Sequence, residues 1–292
     1  MLKSEEKLSD DQKTIKEVIY FSGIGLHSGD HGNVKIKPST VDTGITFIRT
    51  DLSKDNLIKA HWSNVTSTKL CTTISNKNNV SVSTIEHLMS ALSGMHIDNA
   101  IIEIDSSEMP IMDGSAKPFV KLIEKAGIEN QIKKRKYLKV LKDVIVENDQ
   151  GSACIRPNNQ FSINLEIDFP CSVIDKQSCQ LKMINGNYKQ DISEARTFGF
   201  EEEVESLRNS GFALGGDLTN AVVVGKDRIL NKEGLRYKDE FVRHKILDSI
   251  GDLYLAGYPI LGFFEGIKSG HKLNNELLKK LLSDKNNWSL VN

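Results

Sequence analysis

The sequence predicts an α+β protein made of two units of similar design, and three observations carry that prediction. From Val18 to Ile48, apolar and polar residues alternate between glycines, as in "GNVKIKP" and "GITFIR", the pattern of short antiparallel strands. Segments with apolar residues at helical spacing follow, near Ser83 and near Phe119. The order then recurs, with strands at "YLKVLKDVIVEN", "GSACIRP" and "FSINLEIDF" and helices toward the C-terminus. "DNAIIEID" at Asp98 is faintly echoed by "TNAVVVGKD" at Thr219.

Taken in order, the charged start "MLKSEEKLSDDQKTIKE" reads as a mobile tail over 1–14, and the first unit spans 15–130. In "SVSTIEHLMSALSG", Ser83 can cap a helix whose apolar positions Ile85, Leu88, Met89 and Leu92 share a face, with Gly94 suited to its end. "NAIIEID" is the next strand, "MPIMDGSAKP" a turn-rich loop, and "FVKLIEKAGI" a second amphipathic helix ending at Gly127. The basic run "KKRKYLK", Lys133 to Lys139, reads as a solvated connector within 131–140. The second unit, 141–292, carries a helix from Glu240 to Gly257 and a last one from about Asn274 to Leu282. A site between two such halves is natural.

Composition narrows the function. At 292 residues, 39% hydrophobic and 26% charged, the chain can bury a core without disulfides or structural metals. A formal net charge of −1 argues against nucleic acid as a partner. Cys71, Cys154, Cys171 and Cys179 form no C-x-x-C pair, so they suggest neither a disulfide framework nor a cysteine zinc site, and they read as reduced thiols of a cytoplasmic protein. The N-terminus is too charged for a signal peptide, and no apolar run reaches the roughly 18 residues needed to span a bilayer. No stable membrane insertion is expected, although the substrate can still be an amphiphile.

"RHKILDSIGDLYLAG" sets His244, Asp248 and Asp252 four residues apart, within roughly 80° of one another on a helix, opposite Ile246, Leu247, Ile250, Leu253 and Tyr254. An imidazole and a carboxylate at this spacing can share one metal ion, but a catalytic zinc takes about three protein ligands, so another must come from elsewhere. A solvated polar face explains the same pattern. His87 follows Glu86 at a helix start, as a ligand beside a base does in metallohydrolases, yet Ser83 with Glu86 also fits a capping box. His271 lies in the glycine-flanked "KSGHKLNN", where a turn can hold it out into a cleft. "ARTFGF" offers the hydroxyl of Thr197 beside an aromatic ring.

Together and in this order, "GIGLHSG", "STIEHLMSAL", "PIMDGSA", "RTFGF", "EFVRHKILDSIGDLYLAG" and "KSGHKLNN" closely resemble the UDP-3-O-acyl-N-acetylglucosamine deacetylases of bacterial lipid A synthesis. The resemblance covers nearly the whole chain after the tail. It implies two layered α/β sandwiches, each with a small insert, their helix layers facing each other around the active site. It further implies Zn2+, with Fe2+ as the alternative native metal, held by His87, His244 and Asp248 with water in the fourth position. Glu86 is then the base, His271 the acid that protonates the departing amine, and Asp252 the support of His271. Thr197 is positioned to donate to the oxyanion. Lys245, Lys268 and Phe169 are the positions the resemblance offers for sugar, diphosphate and uracil, and Phe198 adjoins Thr197 as a further substrate contact. The insert near 198–216, with Leu207 and Phe212, becomes the wall of an acyl-chain passage. The implied reaction removes the N-acetyl group of UDP-3-O-(3-hydroxyacyl)-N-acetylglucosamine, the committed step of lipid A synthesis. A cytoplasmic monomer of a Gram-negative-type bacterium is expected.

Two rival readings use the same residues. Two histidines and a carboxylate are also the ligand set of non-haem iron oxygenases, although that chemistry has no evident use for Glu86 and a distant His271. A non-catalytic two-domain binding module, its polar helix face solvated, is the other.

Overall fold

Strands with alternate residues turned inward build the first unit. The computed structural model describes residues 11–183 and 186–292, so residues 1–10 of the expected tail lie outside it. The strands are β1 (Asp11–Ile15), β2 (Ile19–Ile24), β3 (His31–Pro38), β4 (Ile45–Arg49) and β5 (Leu57–Lys59). A small sheet of β6 (Val65–Ser67), β7 (Thr73–Ser75) and β8 (Ser81–Val82) leads to α1 (Glu86–Gly94), β9 (Ala100–Ile104) and α2 (Lys117–Ala126). The main sheet has the order β2-β3-β9-β4-β5, with β9 antiparallel to β3 and parallel to β4. Its alternating pattern, as in β9, buries one face under the helices.

The second unit repeats the arrangement. After β10 (Ile128–Lys134), which pairs with β1 of the first unit, it comprises β11 (Tyr137–Val140), β12 (Val144–Asn148), β13 (Gly151–Pro157), β14 (Ser162–Asp168), β15 (Lys176–Lys182), α3 (Asn187–Asp191), β16 (Phe198–Phe200), α4 (Glu201–Asn209), β17 (Val222–Val224), α5 (Glu240–Tyr254), β18 (Ile260–Ile267), α6 (His271–Ser283) and β19 (Trp288–Val291). Along β12, β13, β18, β14 and β15 the pairings run antiparallel, antiparallel, parallel, antiparallel, as they do along β2, β3, β9, β4 and β5. β11 and β19 extend this sheet. Each unit thus carries a small insert before its first long helix: β6 to β8 in one, and β16, α4 and β17 in the other.

Several local expectations change. β1 pairs with β10, so residues 11–14, inside the segment expected as a tail to residue 14, belong to a sheet. The basic run does not form a loose connector: its first part ends β10 and its last part is β11, where Tyr137, Leu138 and Val140 turn inward. The echo at Thr219 marks no repeat, because β17 pairs parallel with β16 in the insert, whereas the counterpart of β9 is β18. The last helix starts earlier, at His271.

The helices α1 and α5 lie inside. In α5 every residue except Arg243 and Lys245 is buried, and in α1 every residue from Glu86 to Leu92 is. Burial of α5 side chains such as Phe241, Ile246 and Leu253 stabilises by up to about 1.5–3 kcal/mol each. The two helices pack on each other so closely that a Cβ on Gly251 would lie 2.1 Å from the Glu86 carbonyl oxygen. The polar face of α5 is therefore turned toward α1 and away from water.

Candidate metal centre and active site

The close approach of α1 and α5 assembles a donor set from both units. His87 is the second residue of α1, while His244 and Asp248 stand one turn apart on α5. Asp248 Oδ1 lies 3.5 Å from His87 Nε2 and 3.4 Å from His244 Nε2, and the two rings are nearly perpendicular with centroids 4.9 Å apart. One ligand atom from each residue falls within 4.8 Å of the others. The Nδ1–H of His244 donates to the Ala195 carbonyl at 3.1 Å, which directs the Nε2 lone pair inward.

Electrostatics prepares these groups as ligands. Burial pushes His244 down to about 3, so its imidazole is neutral at physiological pH. Burial opposes ionisation of Asp248, but charged neighbours, the Lys245 ammonium among them, hold the carboxyl well below the usual range. Lys245 Nζ donates to Asp248 Oδ2 at 2.6 Å, whereas buried Oδ1 has no hydrogen-bond partner among the described residues. Two imidazole nitrogens and an otherwise unpartnered carboxylate oxygen fit a zinc or ferrous ion better than the all-oxygen sites of calcium or magnesium.

The two side chains expected to transfer protons, Glu86 and His271, face this cluster. Glu86 opens α1, accepts the Thr72 backbone N–H at Oε2 (3.1 Å), and places Oε1 3.7 Å from His271 Nε2. Burial pushes its pKa up, with Asp248 and Asp252 adding to the shift against the opposing pull of His271 and His87. The capping-box expectation fails here. Thr84, a β-branched residue at φ 56°, turns the chain so that the Ser83 hydroxyl donates to the Ser107 carbonyl, and α1 has no side-chain cap. His271 is the first residue of α6, with Nδ1 2.8 Å from Asp252 Oδ2 and Nε2 4.0 Å from Asp248 Oδ2. Burial alone would lower its pKa, but Asp252, with Glu86 and Asp248 beyond, raises it to about 9.

The family model for LpxC, UDP-3-O-acyl N-acetylglycosamine deacetylase, matches residues 12–283. The chain belongs to this family. It is 48% identical over 278 residues to the UDP-3-O-acyl-N-acetylglucosamine deacetylase of Syntrophus aciditrophicus, a match covering 95% of this chain and 88% of the relative. It is 46% identical over 282 residues to the protein of the same name from Shewanella oneidensis, covering 96% and 92% respectively. The family is one of metalloenzymes, in keeping with the donor set. No helix among the described residues is long and apolar enough to cross a membrane.

The remaining expected residues fall in three groups. Thr197 sits between Gly114 and Val222, its N–H donating to the Gly114 carbonyl at 2.8 Å, directly before Phe198, whose ring centroid is 6.3 Å from that of His244. Phe169 packs edge-on against Phe198 at 5.6 Å, so this aromatic pair adjoins the donor set. Lys268 and Leu207 are instead held by second-unit partners: Lys268 forms an ion pair with Asp168 at 2.5 Å, and the Leu207 carbonyl accepts the Phe212 N–H. Phe212 reaches across to the first unit, where its ring meets that of His27 at 5.5 Å and Lys69 sits over it at 4.6 Å.

Four positions escaped the sequence reading. Asn274 donates to Asp252 Oδ2 at 2.9 Å, and its place three residues after His271 on one helix is the signal that was there to use. Thr72 donates its hydroxyl to Asp252 Oδ1 at 2.6 Å across 180 residues of chain, which no local pattern announces. Arg196, buried, binds Glu240 at the start of α5 and ties down the segment leading to Thr197. His27, within the quoted "GIGLHSG", keeps a buried Nε2 that lacks a hydrogen-bond partner among the described residues.

Proposed function

We propose that the chain hydrolyses the N-acetyl group of UDP-3-O-(3-hydroxyacyl)-N-acetylglucosamine, releasing acetate and a free amine, with His87, His244 and Asp248 holding a zinc or ferrous ion. When bound, that ion supplies Lewis acidity, polarising the amide carbonyl and making water acidic enough to deprotonate near neutral pH. Glu86 takes the proton of the attacking water at Oε1. A carboxyl whose pKa is raised by burial is the stronger base once ionised. Thr197 donates to the oxyanion that forms as the water oxygen joins the carbonyl carbon. His271, held protonated by Asp252, delivers a proton from Nε2 to the nitrogen as the C–N bond breaks. Lys245 keeps Asp248 ionised and is positioned to reach the sugar.

Phe198 and Phe169 form an aromatic surface beside the donor set that suits the uracil, and Lys268 suits the diphosphate. The acyl chain runs toward Phe212 and Leu207, where the α4 insert meets the loop carrying His27. The observation that carries the reading is the juxtaposition, in a chain of this family, of a base and an acid 3.7 Å apart beside a buried His–His–Asp set. Mass spectrometry after incubation with the acylated substrate tests it. Loss of one acetyl group with wild type, and none with Glu86→Gln at equal metal content, is the expected result; undiminished turnover by Glu86→Gln would overturn it.

A further inference from the structure

Thr72 lies in the turn before β7, outside every helix that carries a ligand or proton-transfer group, and it is 2% exposed. All three of its polar groups are engaged. Its N–H donates to Glu86 Oε2 at 3.1 Å, its hydroxyl to Asp252 Oδ1 at 2.6 Å, and its carbonyl accepts the Ile85 N–H at 3.5 Å, directly before α1. One residue of the first unit therefore grips the carboxylate beside a ligand of α1 and the carboxylate of α5 that orients His271.

We infer that Thr72 is a positioning residue for deacetylation, setting the distance between the base Glu86 and the Asp252–His271 pair. Glu86 and Asp252 are like-charged when ionised and sit in a buried site, so each gains when fixed donors are aimed at it. A β-branched side chain suits the task because its χ1 has few choices. The backbone is committed to it as well. Leu70, two residues earlier, is held at φ 65°, a region a bulky side chain adopts only when its surroundings enforce it. Asn274 cannot replace the Thr72 hydroxyl, because its amide binds Oδ2, the oxygen that also faces His271. Without Thr72 the buried Oδ1 loses its donor and the carboxylate is free to rotate away from His271.

This inference rests on the roles given above to Glu86 and Asp252, so those residues serve as references in its test. Thr72→Val keeps the shape and the backbone N–H and removes the hydroxyl. The expected result is a fall in kcat of about 10- to 100-fold with KM and bound metal per chain unchanged, and recovery of most of the loss in Thr72→Ser. In an Asp252→Asn background, Thr72→Val should cost little more. Should Thr72→Val give no folded protein, Thr72→Cys, with a weak donor in the same space, carries the same expectation. Unchanged kcat, no recovery with serine, or an equal loss in the Asp252→Asn background overturns the inference while Glu86→Gln and Asp252→Asn stay impaired. If those two variants turn over normally, the roles of Glu86 and Asp252 fall, and the inference falls with them.

Discussion

Replacing Gly251 by alanine should separate the two ligand helices and inactivate the enzyme, although alanine is the better helix former. Its Cβ would stand 2.1 Å from the Glu86 carbonyl oxygen, 2.9 Å from the carbonyl carbon and 3.1 Å from the Cα. All three are backbone atoms of α1, so no side chain can swing aside. Relief to ordinary contact requires a displacement of about 1 Å between the helices, and a misplacement of that size can cost about 100-fold in rate. Glu86 moves with its own backbone, and His87 moves next to it, away from Asp248 Oδ1 at 3.5 Å. Overpacking should cost about 1–3 kcal/mol, against about 1 kcal/mol gained from helix propensity.

The assay is kcat/KM on the acylated substrate, with metal per chain and Tm measured on the same samples. Gly94→Ala is the control. Its Cβ would lie 2.2 Å from the Tyr188 ring, so it overpacks α1 near its far end, against a side chain, and should lower Tm while leaving more activity than Gly251→Ala. A Gly251→Ala enzyme with raised Tm and unchanged kcat/KM would refute the claim that this contact sets the helix spacing.

Three further outcomes follow from the same geometry. His244→Ala or Asp248→Ala should lose most bound metal and activity together, read by elemental analysis after dialysis, whereas Glu86→Gln should keep its metal; full metal occupancy in His244→Ala would remove that residue from the ligand set. With His271 in its proposed role as a protonated acid, activity should be present below its pKa, here raised to about 9 with Asp252 as a main cause, and lost as pH rises through it. Asp252→Asn removes that support and should move the basic limb of kcat/KM down by about one unit or more, and a limb that stays in place would assign it to another group. UDP-GlcNAc lacking the 3-O-acyl chain should react at least about 1,000-fold less efficiently, roughly 4 kcal/mol in kcat/KM, and Phe212→Ser or Leu207→Ser should narrow the gap by harming only the acylated substrate. Comparable rates for both substrates would remove the passage.

What the sequence made legible was periodic. Strand alternation and helix faces identified β3, β9, α1, α2 and α5 because their apolar positions recur at the spacing of the element. The repeat was placed wrongly for a physical reason. β9 and β18 share topology and alternate burial, but "AIIEI" and "ILGFFEGI" satisfy that burial with different side chains, whereas the "NAVVV" of the insert matches by composition alone. The basic run misled because β10 and β11 carry their lysines outward while pairing in sheets. The acidic run "EEEVESLRN" is a helix, α4, whose three leading glutamates suit the positive end of its dipole, a signal the reading left unused.

The site was ambiguous fragment by fragment for a different reason. A helix face carrying His244, Asp248 and Asp252 is at ease in water, so its pattern alone does not tell a ligand face from a solvated one. Buried, the same face requires partners, because an unpaired carboxylate in a core costs several kcal/mol. Those partners come from Lys245 on the same helix, from His87 on α1, from His271 and Asn274 on α6, and from Thr72 in the first insert. Of these, only Lys245 comes from the same turn of the chain as the carboxylate it binds. A buried polar helix face is thus explained by residues far away in the chain, and the quoted motifs carried meaning only in combination, as the set of partners that lets α5 turn its polar side away from solvent.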